Sequence, residues 1–80
     1  MKYKFIIEKN EKEILHGYEP VKEICIQEAL HEFQKRTAKI DEHKMKISAH
    51  DCLDMGMTLA VEDNDGNKIS VKVIDNFKMN

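Results

Sequence analysis

Apolar and polar residues alternate from the start of the chain. Tyr3, Phe5 and Ile7 point one way and Lys2, Lys4 and Glu8 the other, with Ile6 as the exception. A period of two built from aromatic and branched side chains predicts a half-buried strand. Asn10-Glu11 suggests a turn, after which Ile14-Leu15-His16-Gly17-Tyr18 reads as a returning strand or as a loop. Pairing Ile7 with Ile14 sets Tyr3 opposite Tyr18, and also Glu8 opposite Glu13, a like-charge pair that weakens the register. The period then lengthens. Ile26, Ala29, Leu30, Phe33, Thr37 and Ile40 fall on one stripe at helical spacing, while Gln27, His31, Gln34 and Lys35 fall away from it. Pro20 suits the first turn of this helix, and no glycine interrupts it from Pro20 to about Ile40. Glu19 and Glu23 near its start and Arg36 and Lys39 near its end agree with the helix dipole. Its stripe makes Phe33 and Leu30 expected core residues.

After Asp41-Glu42 the period returns to two. Met45, Ile47 and Ala49 alternate with Lys44, Lys46, Ser48 and His50, which predicts another strand. Asp51-Cys52-Leu53-Asp54-Met55-Gly56 reads as a loop, then Met57, Leu59 and Val61 alternate, and so do Ile69, Val71 and Val73. A three-residue Asn64-Asp65-Gly66 connection places Val61 opposite Ile69, Leu59 opposite Val71, Met57 opposite Val73 and Glu62 opposite Lys68. A two-residue turn would mix the faces. The longer loop requires a left-handed third residue, which Gly66 supplies. The expected fold is α+β, with residues 1–80 as one domain. It is a two-layer sandwich of one helix on an antiparallel sheet of about four to five strands, ordered β-β-α-β-β-β, or β-α-β-β if 14–18 is a loop. The helix would cover a face lined by Phe5, Ile7, Ile47, Leu59, Val61, Val71 and Val73.

Composition narrows the functional classes. At 80 residues the core is thin, which leaves little room for a deep active site. Charged residues are 35% of the chain but the formal net charge is only −2, so bulk charge does not call for a nucleic-acid or membrane partner. The lysine-rich, isoleucine-rich composition fits an AT-rich bacterial or phage genome. Arg36 is the only arginine, and bidentate recognition of guanine or phosphate favours that side chain. Two cysteines, Cys25 and Cys52, are too few for a disulfide scaffold. No run is apolar enough to span a bilayer, and the first residues do not resemble a signal peptide. These features lead to the expectation of a reduced, cytoplasmic setting.

Alternation also creates a candidate surface. Lys2, Lys4, Lys44, Lys46, Lys68 and Lys72 share the outer parity with Glu8 and Glu62, while Glu19, Glu23, Glu28 and Glu32 sit on the helix and Asp51, Asp54, Asp63, Asp65 and Asp75 in loops or strand ends. A lysine face of this kind suits an anionic partner such as RNA, DNA or an acidic protein. It also serves solubility and blocks edge pairing without any ligand. No aromatic residue has the outer parity in the better-defined strands, which disfavours base stacking. Ile6, Ala60 and Ile74 interrupt the face, and Ile6 with Ile74 would form a dimer seam if the first and last strands are neighbours. Leu53 and Met55 put apolar side chains in a loop, either as a binding loop or folded back under the sheet.

Catalytic and metal motifs are weak. His50 and Cys52 lie two apart, His31 and His43 are isolated, and no C-x-x-C or H-x-x-x-H pair occurs. Asp63-Asn64-Asp65-Gly66 echoes part of a calcium loop, but Val61 and Lys72 stand where acids are needed. Neither catalytic residues nor a cofactor or metal is therefore expected. Met1-Lys2-Tyr3-Lys4-Phe5-Ile6-Ile7 and Gln27-Glu28-Ala29-Leu30 resemble small bacterial antitoxins that begin with a strand-rich domain, although the segment those proteins carry between strand and helix is absent. The β-α-β-β order is similar to that of dodecins, but this chain has no tryptophan to stack on a flavin. Neither resemblance transfers a functional residue. The expectation is a small non-enzymatic interaction module of the bacterial or phage inhibitor or adaptor type. It would dock a protein partner through an exposed surface, with a second copy of the chain among the candidates. Nucleic-acid or polyanion binding through the lysine face is the alternative.

Overall fold

Alternation in the first segment folds as expected. In the computed structural model, which describes residues 2–37 and 40–74, β1 (Lys2–Lys9) runs into β2 (Lys12–Glu19) through Asn10 and Glu11. Lys39 and Asp75 lie outside the described residues. Both turn residues have positive φ, 52° and 70°, the geometry that matches the twist of a two-residue hairpin. Glu8 does face Glu13, but the register shifts by one between Ile7 and Glu8. Beyond this bulge Ile7 pairs with Leu15, Phe5 with Gly17, and Lys4 with Tyr18, rather than Tyr3 with Tyr18. A bulge inserts one residue and so reverses the parity of the residues beyond it. Gly17 accommodates the shift: a Cβ there would meet the Phe5 ring at 2.5 Å.

The first helix, α1 (Lys22–Gln34), is shorter than its stripe, and Thr37 and Ile40 lie beyond its end. Pro20 precedes it, and Glu19 is the last residue of β2 rather than a helical residue. Cys25, Ile26, Ala29, Leu30 and Phe33 are buried against the sheet, so Phe33 and Leu30 are core residues as expected. Removing side chains of this size from water stabilises by roughly 1.5–3 kcal/mol each.

The segment expected as a third strand is instead a second helix, α2 (Glu42–Asp54), which also takes in Asp51 and Asp54 from the expected loop. Asp41 caps it, its carboxylate accepting a hydrogen bond from the Lys44 amide at 3.1 Å. Ala49 and Leu53 are buried and Met45 packs on the core, whereas Ile47, expected inside, is half exposed. The described elements therefore run β-β-α-α-β-β, without the β-α-β-β order that resembles dodecins. The helices lie antiparallel: Lys22 pairs with Asp54 at one end, and Gln34 donates to Glu42 at the other.

The terminal strands, β3 (Leu59–Glu62) and β4 (Asn67–Ile74), have the expected register, with Leu59 opposite Val71, Val61 opposite Ile69 and Glu62 opposite Lys68. Met57 precedes β3 and makes no such pair. Gly66 has φ of +87°, and a Cβ there would run into the Asn10 side chain, which sits close because the Asn10 amide donates to the Gly66 carbonyl at 2.9 Å. The two hairpin turns thereby meet at one end of the sheet. The sheet is antiparallel in the order β2-β1-β4-β3. Phe5, Ile7, Ile69 and Val71 are buried beneath the helices, giving a two-layer α+β sandwich.

Candidate interaction face

Because each strand alternates, burying Phe5, Ile7, Ile69 and Val71 turns their neighbours to the opposite side of the sheet. Four rows cross that outer face. Lys2 stands opposite Ile74, Lys4 opposite Lys72, Ile6 opposite Ser70, and Glu8 opposite Lys68. β2 adds Tyr18 beside Lys4, His16 beside Ile6 and Glu13 beside Glu8. β3 adds Ala60 beside Ser70 and Glu62 beside Lys68.

Tyr18 is 50% exposed, and the Lys4 ammonium lies 5.2 Å from its ring centre. His16 approaches the same ring edge-on at 5.5 Å and is bonded through Nδ1 to the Glu13 carboxylate at 2.7 Å. Alternation alone does not place Tyr18 here, because the register expected from it puts Tyr18 on the face of Tyr3. The signal that reveals it is Gly17: a glycine inside a strand marks close approach by another group, here the Phe5 ring.

The expected lysine set is divided. Lys2, Lys4, Lys68 and Lys72 lie on the outer face, whereas Lys44 and Lys46 are on α2 and leave it. Lys46 instead borders a cleft of about 410 Å³ between the helices, lined also by Gln27, His31 and Gln34. Lys68 reaches Glu8 at 3.8 Å. Among the described residues, Lys2, Lys4 and Lys72 form no ion pair with an acid. The expected apolar set also separates. Leu53 is buried in the last turn of α2, while Met55, just beyond that helix, is 67% exposed. Although β1 and β4 are neighbours, Ile6 and Ile74 do not form a common seam. Ile74 pairs with Lys2, four positions from Ile6, or about 13 Å along the strand.

Titratable groups elsewhere serve the scaffold. Asp63 accepts hydrogen bonds from the Thr37 hydroxyl at 2.6 Å, the Asn67 side chain at 2.9 Å, and the amides of Asp65 and Asn67 at 2.8 and 2.9 Å. These donors, the Thr37 hydroxyl foremost, hold its carboxyl well below the usual range. The Asp63 carboxylate of the calcium-like sequence is thus occupied within its own turn and by the segment that follows α1. Burial pushes the Cys25 thiol up to about 12, assisted by Glu19 and Glu28. Burial and the neighbouring Glu19 also raise Glu28. Arg36 donates to the Glu32 carbonyl and carboxylate. Among the described residues, no three His, Cys, Asp or Glu side chains gather as a metal site, and no helix is long and apolar enough to cross a membrane.

Fold and surface together describe a small α+β sandwich in which, among the described residues, one sheet face carries no second layer. In comparison with known proteins, the chain matches no family model, no curated protein and no solved structure.

Proposed function

We propose that the chain is a non-enzymatic protein-interaction module, of the small bacterial or phage inhibitor or adaptor type, acting in the cytoplasm and docking through its outer sheet face. The carrying observation is Tyr18, half exposed and held by Lys4 and His16 on a face that neither helix covers. A rigid aromatic residue surrounded by polar groups is the arrangement that concentrates binding energy in protein interfaces. Chemical cross-linking in the native host, read by mass spectrometry, tests this reading. Wild-type protein should yield a partner attached near β1 and β2. Tyr18→Ala with Ile6→Asp should lose it while keeping the same circular dichroism. Retention of the same attachment by that variant would refute the role of this face.

A second reading, polyanion binding, is supported by the proximity of Lys2, Lys4 and Lys72 to Tyr18, which adds an aromatic residue to the basic group. Such binding would be mainly to phosphates and steeply salt-dependent. It predicts retardation of single-stranded nucleic acid at low salt, abolished by reversing these three lysines to glutamate.

A further inference from the structure

The outer face changes the sign of its charge along the strands. Lys2, Lys4 and Lys72 occupy one end, His16, Ile6, Ser70 and Ala60 form the middle row, and Glu8, Glu13 and Glu62 occupy the other end with Lys68. The acidic end is concave: Glu8, Glu11, Glu62 and Lys68 line a depression of about 250 Å³. The acidic end keeps an excess of carboxylates although Glu8 meets Lys68 at 3.8 Å and Glu13 meets His16 at 2.7 Å. Among the described residues, Lys2, Lys4 and Lys72 pair with no acid. Lys4 and Lys72 stand directly opposite each other, a like-charge pair that is unfavourable in a sheet and in which Lys4 is drawn over the Tyr18 ring.

A surface whose charge reverses across a line complements itself when turned half a revolution about that line. An isologous dimer interface has this property. We infer that the face receives a second copy of this chain, sheet against sheet, about a two-fold axis along the Ile6–Ser70–Ala60 row. The lysine end of each copy then lies over the acidic end of the other, where Lys4 meets Glu8 and Lys72 meets Lys68. The attraction is carried by Lys4 with Glu8 and by the opposite net charge of the two ends. The inference rests on the outer face being a docking surface and specifies its occupant. The small side chains of Ser70 and Ala60 in the middle row permit close approach. A nucleic acid is a poorer fit, because a phosphate backbone leaving the lysine end would cross the carboxylates.

Four strands about 4.8 Å apart and roughly seven residues long present on the order of 400 Å² per copy. Two such faces bury less than the approximately 1,200 Å² typical of stable complexes, so the dimer is weak and reversible.

Sedimentation equilibrium over a wide concentration range at low salt tests the inference. The wild type should dimerise, and added salt should weaken the association. Lys4→Glu with Lys72→Glu makes the face predominantly acidic, and Glu8→Lys with Glu62→Lys makes it predominantly basic. Each variant alone should self-associate about tenfold or more weakly. Their equimolar mixture should restore a one-to-one dimer, and circular dichroism should show both folded. A wild type that stays monomeric at every concentration overturns the inference but leaves the docking face open to a different protein, which the Tyr18 and Ile6 variant tests separately. Unchanged dimerisation of either variant also overturns it, as does retardation of single-stranded RNA by a wild type that never dimerises.

Discussion

Asp63 illustrates how one side chain joins distant parts of this chain. Its carboxylate binds its own turn through Asp65 and Asn67 and the segment after α1 through Thr37. Because the folded carboxyl is held below its ordinary value, its stabilising contribution is complete above the unfolded aspartate value of about 3.9. It diminishes as pH falls below that value toward the depressed folded one. Asp63→Asn should therefore lower the thermal midpoint at neutral pH, and the gap from wild type should narrow under strongly acid conditions. Thermal melts across that range would show both effects; a gap that widens in acid would contradict the assignment. Glu11 presents the opposite situation. It holds φ of 70° in the first hairpin without being glycine, although glycine is favoured at that turn position. Glu11→Gly should raise stability by up to about 1 kcal/mol by relieving left-handed strain, measurable as a shift in urea midpoint with an unchanged slope.

The elements differ in how legibly the sequence encodes them. The stripe of α1 is unambiguous because its apolar residues recur at three and four and at no shorter regular interval. The β3–β4 register is legible because only one loop length keeps both faces uniform. α2 is ambiguous because spacing alone cannot separate two periods there. Met45 and Ala49, four apart, satisfy both a strand's period of two and a helix's turn. Ile47 and Leu53 decide between them. A strand would bury Ile47, whereas the helix exposes it and buries Leu53. Asp41, an N-cap three residues before Lys44, is the start signal that alternation masks. The two positions should respond accordingly: Leu53→Ala should cost about 2–5 kcal/mol, and Ile47→Ala should stay within about 0.5 kcal/mol of wild type. Denaturant unfolding of both variants would test the assignment, and a larger loss at Ile47 would restore the strand. The candidate face is partly legible in the same way. Its β1 and β4 lysines are placed by alternation, while Tyr18 is concealed by a bulge that no periodicity reports. Lys44 and Lys46 leave the face because their segment coils into α2.

On the scale of the molecule, both helices lie on one side of the sheet, and among the described residues no layer covers the other side. That asymmetry makes the outer face the principal candidate for function. Its ends carry opposite charge, so salt should affect association through this face more than folding. Raising ionic strength should shift the sedimentation profile toward the smaller species while leaving the thermal midpoint of the monomer nearly unchanged. A thermal midpoint that falls together with the association would mean that the charges support the fold instead. The buried layer has a separate consequence through Cys25. Its thiol is fully enclosed between α1 and the sheet and resists ionisation, so an alkylating reagent can reach it only when α1 lifts away. Cys52 is only partly buried. The labelling rate at Cys25 is therefore a clock for the opening of the core, intrinsic to the chain and independent of any partner.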